Sequence, residues 1–113
     1  MQRLPKRLVP GSRLTTSAAT YYTTPDNTVA TISAMTVTNT TSAAVTVTIH
    51  LVPNASSAGN ANVVLFEKVI PPGQSRIVGE AIGQSLAMGG TIQAQASAAT
   101  SITLVASGYE TTP

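Results

Sequence analysis

The chain has 113 residues, the size of one compact domain, and no cysteine, which excludes disulfides and thiolate metal sites. Charged residues make up only 9% of it, against roughly 25% in ordinary soluble domains, while 42% is hydrophobic. Because a net charge of +2 supplies little repulsion between copies, we expect a homo-oligomer or a subunit of a larger assembly.

The N-terminus concentrates the positive charge. Four of the six basic residues lie there: Arg3, Lys6, Arg7 and Arg13. The rest of the chain carries two basic residues and four carboxylates, so the first segment is +4 and the remainder −2. Two prolines and a glycine interrupt the stretch and exclude a regular helix. Residues 1–14 are therefore predicted to form a basic, extended, partner-binding arm that precedes a domain at 15–113.

From residue 15 onward, β-branched residues alternate with small polar ones between frequent turn signals. The predicted strands are 18–23, 29–39, 44–52, 63–70, 74–78, 91–96 and 102–109, and only 80–88 is predicted to form a helical turn. Parallel α/β architecture is excluded because crossover helices are missing from the pattern. The fold class is thus predicted to be all-β, a single antiparallel β-sandwich of about seven strands, immunoglobulin-like or jelly-roll.

The clearest strand alternates strictly between Val45 and Leu51. Its aliphatic residues are predicted to face the core and its polar residues, His50 among them, the other side. Since no nearby group orients this single histidine, we predict an exposed or interface residue and not a general base. The carboxylates are scattered, and the ligand spacing of a metal site is not found. We therefore predict no enzymatic activity and no cofactor.

A polar loop is predicted at 53–62, between two strands. Its residues are almost all turn formers, so it cannot be a regular element. We predict that this loop contacts a partner through Asn54, Ser56 and Asn60.

Five segments carry a resemblance to a known group of proteins. They are YYTTP at 21–25, AMTVTNTT at 34–41, VTVTIHLVP at 45–53, VIPPG at 69–73 and ITLVASGYE at 102–110. This pattern resembles the small β-sandwich virion proteins of tailed bacteriophages, which decorate heads or build neck, collar and tail-fibre attachment sites. The basic arm is a departure from their pattern.

The resemblance implies a non-enzymatic structural protein of the virion. The expected role is head decoration or cement, or a neck or tail accessory subunit. The expected partners are the major capsid, portal or neck, or tail subunits, and the expected location is the virion, after assembly in the host cytoplasm.

Two other functions are weighed. The first is a carbohydrate- or receptor-binding module of a tail or surface adhesin, using the loop at 53–62 and the tyrosines. The second is nucleic-acid binding by the +4 arm, which is disfavoured because the aromatic residues are not interleaved with basic ones. A membrane partner is not expected, since nowhere do about 18 apolar residues follow one another.

Overall fold

The structure is a computed structural model that describes residues 2–112. Within this range the chain forms nine strands and one short 3₁₀ turn. The strands are β1 (Gln2–Arg13), β2 (Ala19–Thr23), β3 (Val29–Asn39), β4 (Val45–Val52), β5 (Val63–Ile70), β6 (Ser75–Ile77), β7 (Ser85–Leu86), β8 (Thr91–Ala96) and β9 (Ile102–Thr112), and the 3₁₀ turn is Gly79–Ala81.

The strands form two antiparallel sheets that pack face to face. Sheet A has the order β1-β9-β3-β6, and β7 pairs with the first part of β3. Sheet B has the order β2-β8-β4-β5. The prediction of an all-β antiparallel sandwich is confirmed by this arrangement.

The core lies between the sheets and follows the period-two alternation of the strands. In β8, and in β9 as far as Gly108, every second residue is buried, as the sequence pattern predicts. The fully buried side chains of the layer include Ile32, Met35, Val37, Val47, Ile49, Ile92, Ile102 and Leu104. Each such aliphatic side chain contributes about 1.5–3 kcal/mol of burial free energy, before the loss of conformational entropy.

The N-terminal segment is extended, but it is an edge strand of the sandwich and not a separate arm. Strand β1 pairs with β9 from Gln2 opposite Thr112 to Arg13 opposite Thr103. Prolines are tolerated because an edge strand has one side without ladder partners. The register shifts on both sides of Val9.

These shifts have a clear effect on burial. Leu8 and Val9 are consecutive yet both buried, and Leu14 is also fully buried in the common core. The predicted arm therefore contributes its own apolar residues to the sandwich. Simple alternation could not have predicted this, because an inserted residue moves the following side chains to the other face.

The predicted helical turn at 80–88 is reduced to the 3₁₀ turn at Gly79–Ala81. The following residues pair with β3 instead: the Gly83 N–H donates to the Ile32 carbonyl at 2.7 Å, and the Ile32 N–H donates to the Gln84 carbonyl at 3.0 Å. These hydrogen bonds take the place of helical ones. They lead the chain into β7.

Candidate interaction surfaces

The outer face of sheet A is broad and uncharged at its centre. We call "face A" the outward side chains of β3 and β9, which are Thr31, Ser33, Thr36 and Thr38 together with Thr103, Val105, Ser107, Tyr109 and Thr111. All are half-buried or exposed, and the Arg3 side chain lies over one of them, the Tyr109 ring. Short, β-branched side chains of this kind make a flat surface that costs little to desolvate.

Three of the four predicted basic residues lie along one edge of face A. Arg3 is opposite Thr111 and Arg13 is opposite Thr103, both of which point outward. Arg7 lines a depression together with Ser107, which also belongs to face A. We call Arg3, Arg7 and Arg13 the arginine row; measured along the partner strand from Thr111 to Thr103, at about 3.3 Å per residue, it spans roughly 26 Å.

The contacts of the row differ along its length. The Arg3 guanidinium lies over the Tyr109 ring, 4.3 Å from its centroid. Arg13 donates to the Thr100 carbonyl oxygen at 2.9 Å. Within residues 2–112, the ion pairs are Lys6–Glu110 and Arg76–Glu80, so no guanidinium of the row is paired with a carboxylate of these residues.

Lys6, the fourth predicted basic residue, is separated from the row. It is opposite Gly108, on the side of β1 that faces the other sheet. Its Nζ lies 3.2 Å from Glu110 Oε2, and the Tyr22 hydroxyl donates to the same oxygen at 2.6 Å. Burial, and then the hydrogen bond to Glu110, raises the pKa of Tyr22 well above its usual value. This cluster joins sheet B to sheet A and is structural.

A shallow depression of about 360 Å³ lies on face A beside the row. It is lined by residues of β1, β3 and β9. The lining residues are Pro5, Lys6, Arg7, Ser33, Ser107, Gly108 and Tyr109. It therefore offers hydroxyl groups, an aromatic ring and a guanidinium within one small area.

The predicted loop residues Asn54, Ser56 and Asn60 are all exposed. Asn54 packs against Gly89 and lines a groove of about 370 Å³ between the loop and the segment that precedes β8. Neither Ser56 nor Asn60 lines this groove, so the structure does not bring the three residues into one site.

Sequence reasoning missed the residue that organises this loop. Asn62 Oδ1 accepts hydrogen bonds from the Gly59 N–H at 3.1 Å and from His50 Nδ1 at 3.0 Å. Because His50 Nδ1 also faces the Gly59 carbonyl at 3.2 Å, its neighbours are both acceptors, and this nitrogen carries the proton. The only sequence signal was a histidine near an asparagine-rich loop.

His50 is thus buried, with 7% exposure, which excludes the exposed histidine that was one of the two predicted alternatives; the other, an interface residue, stays a prediction. Thr48, on the same side of β4, is also buried and accepts a hydrogen bond from the Glu67 N–H at 3.1 Å. The loop and a bulge in β5 cover the outer side of β4 at these two positions. The uncovered remainder of this outer face, "face B", consists of Thr20, Thr46, Thr91, Gln93 and Gln95.

The strand edges are poorly suited to pairing with another chain. Edge strand β1 contains two prolines and two register shifts, and β6 has three residues. In sheet B, edge strand β5 is bulged, with Glu67 at φ 46°, and edge strand β2 has five residues and one register shift. Such features prevent edge-to-edge association. On these edge strands, Phe66, Val69 and Ile77 each have more than half of their surface exposed. They provide apolar surface for side-chain contacts with a partner.

Residues 2–112 contain neither a metal-binding cluster nor a membrane-spanning helix. No group of three or more His, Cys, Asp or Glu side chains in this range is arranged to hold a metal ion. No helix in the same range has the length and apolar character needed to cross a membrane. A comparison of the chain with known protein families, curated proteins and solved structures finds no match.

Proposed function

We propose that the chain is a non-enzymatic structural protein of a bacteriophage virion, a decoration or neck or tail accessory subunit with a jelly-roll fold. Its partners would be copies of itself and other virion proteins: major capsid, portal or neck, or tail subunits. The virion is its proposed location, after assembly in the host cytoplasm.

The strand order supports the jelly-roll part of the proposal. When the two-residue β7 is left out and the other eight strands are counted again in chain order, β8 becomes the seventh strand and β9 the eighth. Sheet A then has the order first, eighth, third, sixth, and sheet B the order second, seventh, fourth, fifth. This is the order of a jelly roll, which is used by viral capsid and lectin domains. An immunoglobulin-like sandwich would instead place the first, second, fifth and fourth strands in one sheet.

The observation that carries the functional proposal is face A. It is flat and uncharged at its centre, edged by arginines without carboxylate partners in residues 2–112, and left uncovered by the chain. Interfaces between subunits are depleted of Lys, Glu and Asp and enriched in Arg and aromatic residues at their cores. Blocked edges direct such contacts to the faces of the sandwich.

One experiment tests this proposal by placing a charge on each face. Val105→Lys changes the centre of face A, and Gln95→Lys is the matched change on face B. Copy number in purified particles, by quantitative mass spectrometry, and oligomeric state, by analytical ultracentrifugation, are measured for both. We expect Val105→Lys to reduce incorporation at least about tenfold, since an unpaired buried charge is strongly unfavourable. Normal incorporation of both folded variants would contradict the proposal.

The groove beside the loop favours one alternative, a carbohydrate-binding module. Its lining includes Asn54, Asn62 and Gln84 together with apolar residues. Its lining contains no aromatic residue to stack on a sugar ring. Glycan-array binding that Asn54→Ala abolishes, and that Asn60→Ala leaves intact, would establish this alternative in place of the structural role.

A further inference from the structure

The arginine row has two members that form no ion pair within the described residues. Arg3 and Arg7 are both exposed, and the ion pairs of residues 2–112 involve neither of them. Lys6, between them in sequence, is neutralised by Glu110 on the opposite side of the strand. Two guanidinium groups therefore face the same side of sheet A without a carboxylate partner among residues 2–112.

Their spacing is set by the strand. Arg3 and Arg7 are four residues apart, and the pairing with β9 is regular from Gln2 to Lys6. At about 3.3 Å per residue the two side chains leave the backbone roughly 13 Å apart. An extended peptide lying along β1 presents every second side chain on one face, so carboxylates four residues apart have the same spacing.

The surface between them fits such a peptide. The depression of about 360 Å³ lies beside β1, and Arg7, Ser33 and Ser107 are among the residues that line it. Arg3 is held over the Tyr109 ring at 4.3 Å, which limits the conformational freedom that binding would remove. Pro5 and Pro10 leave β1 without two N–H donors, so a partner strand is not expected to pair with its edge and extend the sheet. The partner peptide lies instead on the outer face, alongside β1.

We infer that this part of face A binds an extended acidic segment of a partner protein, whose carboxylates, four residues apart, pair with Arg3 and Arg7. The inference rests on the proposed function and names the chemistry of its partner. Guanidinium and carboxylate groups form paired, charge-assisted hydrogen bonds, which supply the specificity.

Nucleic acid fits the same surface less well. A strand of nucleic acid would be bound by many cations along its backbone and by free aromatic rings for its bases. Here the floor of the site is uncharged, and the ring of Tyr109 is already covered by Arg3.

The test uses fluorescein-labelled probes and the full chain, with fluorescence anisotropy at low salt as the readout. The first probe is a nine-residue threonine-rich peptide with two glutamates four residues apart. The second has the same composition with the glutamates adjacent, and the third is a thymidine oligonucleotide. The variants are Arg3→Glu with Arg7→Glu, and the matched control Lys68→Glu, an exposed residue of β5 in sheet B.

We expect the first peptide to bind, the second to bind several-fold more weakly, and the double variant to lose about tenfold or more in affinity for the first. Lys68→Glu should change this affinity less than about twofold, because its charge lies on the other sheet. Thermal unfolding of the double variant near that of the wild type shows that the loss is not due to unfolding.

Three results would overturn the inference: equal binding of both peptides, equal losses in the double variant and Lys68→Glu, or tighter binding of the oligonucleotide than of any peptide. Normal incorporation of the double variant into particles would overturn it as well. Such a result leaves the proposed function intact, because that depends on the Val105→Lys experiment.

Discussion

The two outer faces of the sandwich are made of similar uncharged residues but are used differently by the chain. Face A is left open along its length and carries the arginine row at its edge. The outer side of sheet B is partly covered: the loop at 53–62 is held down by His50 and Asn62, and the bulge in β5 caps Thr48. Part of the outer face of sheet B is thus covered by the loop at 53–62 and by the bulge in β5.

This difference indicates where a partner has room. A surface covered by its own chain has satisfied its polar groups internally, whereas an open face of hydroxyl-bearing side chains exchanges water for a partner at low cost. Sheet A is therefore the side that we assign to assembly, and sheet B the side that completes the fold.

The largest expected effect comes from a glycine in the middle of sheet A. A Cβ at Gly108 would overlap the carbonyl oxygen of Thr31 on β3, where the register of the two strands shifts. Gly108→Ala should lower the free energy of unfolding by about 3 kcal/mol or more, because backbone must move to make room. Urea unfolding measures this loss.

The matched control is Gly59→Ala in the loop over sheet B. A Cβ at Gly59 would meet no atom within 4 Å. Its effect should stay within about 0.5 kcal/mol. Equal losses in the two variants would show that the close approach of β9 and β3 is not what requires a glycine.

A smaller effect is expected at the contact that joins the two sheets. Tyr22→Phe removes the hydroxyl that donates to Glu110 and leaves the carboxylate with Lys6 as its partner. Because a hydrogen bond to a charged group contributes about 1.5–3 kcal/mol, the variant should lose about 2 kcal/mol of stability. Tyr109→Phe, on face A, is the control and should be nearly neutral.

The same contact predicts a dependence on high pH. Tyr22 has its pKa raised from the ordinary 10.0 in the folded protein, so above pH 10 the unfolded state loses this proton first. The stabilisation is complete below that pH and declines above it, by up to about 1.4 kcal/mol per pH unit. Denaturant unfolding at rising pH should show a shallower decline for Tyr22→Phe, and identical slopes would argue against the shift.

The smallest effect is expected in the loop that covers sheet B. Asn62→Ala removes the acceptor of the His50 and Gly59 hydrogen bonds and should cost about 1–2 kcal/mol. It should also speed amide hydrogen exchange within 53–62. Asn60→Ala, in the same loop and exposed, should do neither. A loop that exchanges equally fast in both variants would mean that Asn62 does not anchor it.

The sequence predicted the strands well because period-two burial is a local property. Strands β3, β5 and β8 begin and end at the predicted residues. The face A residues of β9, and Thr36 and Thr38 of β3, follow from the same alternation, but the register shift between Ile32 and Ala34 reverses it for Thr31 and Ser33, which alternation alone would have assigned to the core. The sequence showed that Arg3, Arg7 and Arg13 lie close together in the chain, but it did not show that they lie in a row on one face of a sheet.

The remaining features depend on contacts between distant residues. The pairing of β1 with β9 joins opposite ends of the chain, and two prolines in β1 masked its strand character. The burial of His50 and Thr48 arises from a loop and a bulge whose positions no local pattern encodes. The depression near Ser107 exists only because β1 and β3 flank the same strand.

The central position of β9 in sheet A also determines when the protein can fold. This strand lies between β1 and β3 and is synthesised after both of them. Until β9 is made, β1 lacks its hydrogen-bonding neighbour, while β4 and β5 can already form a hairpin. Pairing of segments this remote in sequence is slow. Sheet A therefore cannot be completed before β9 has been made, and the cationic strand β1 waits for its partner while most of the sandwich is synthesised.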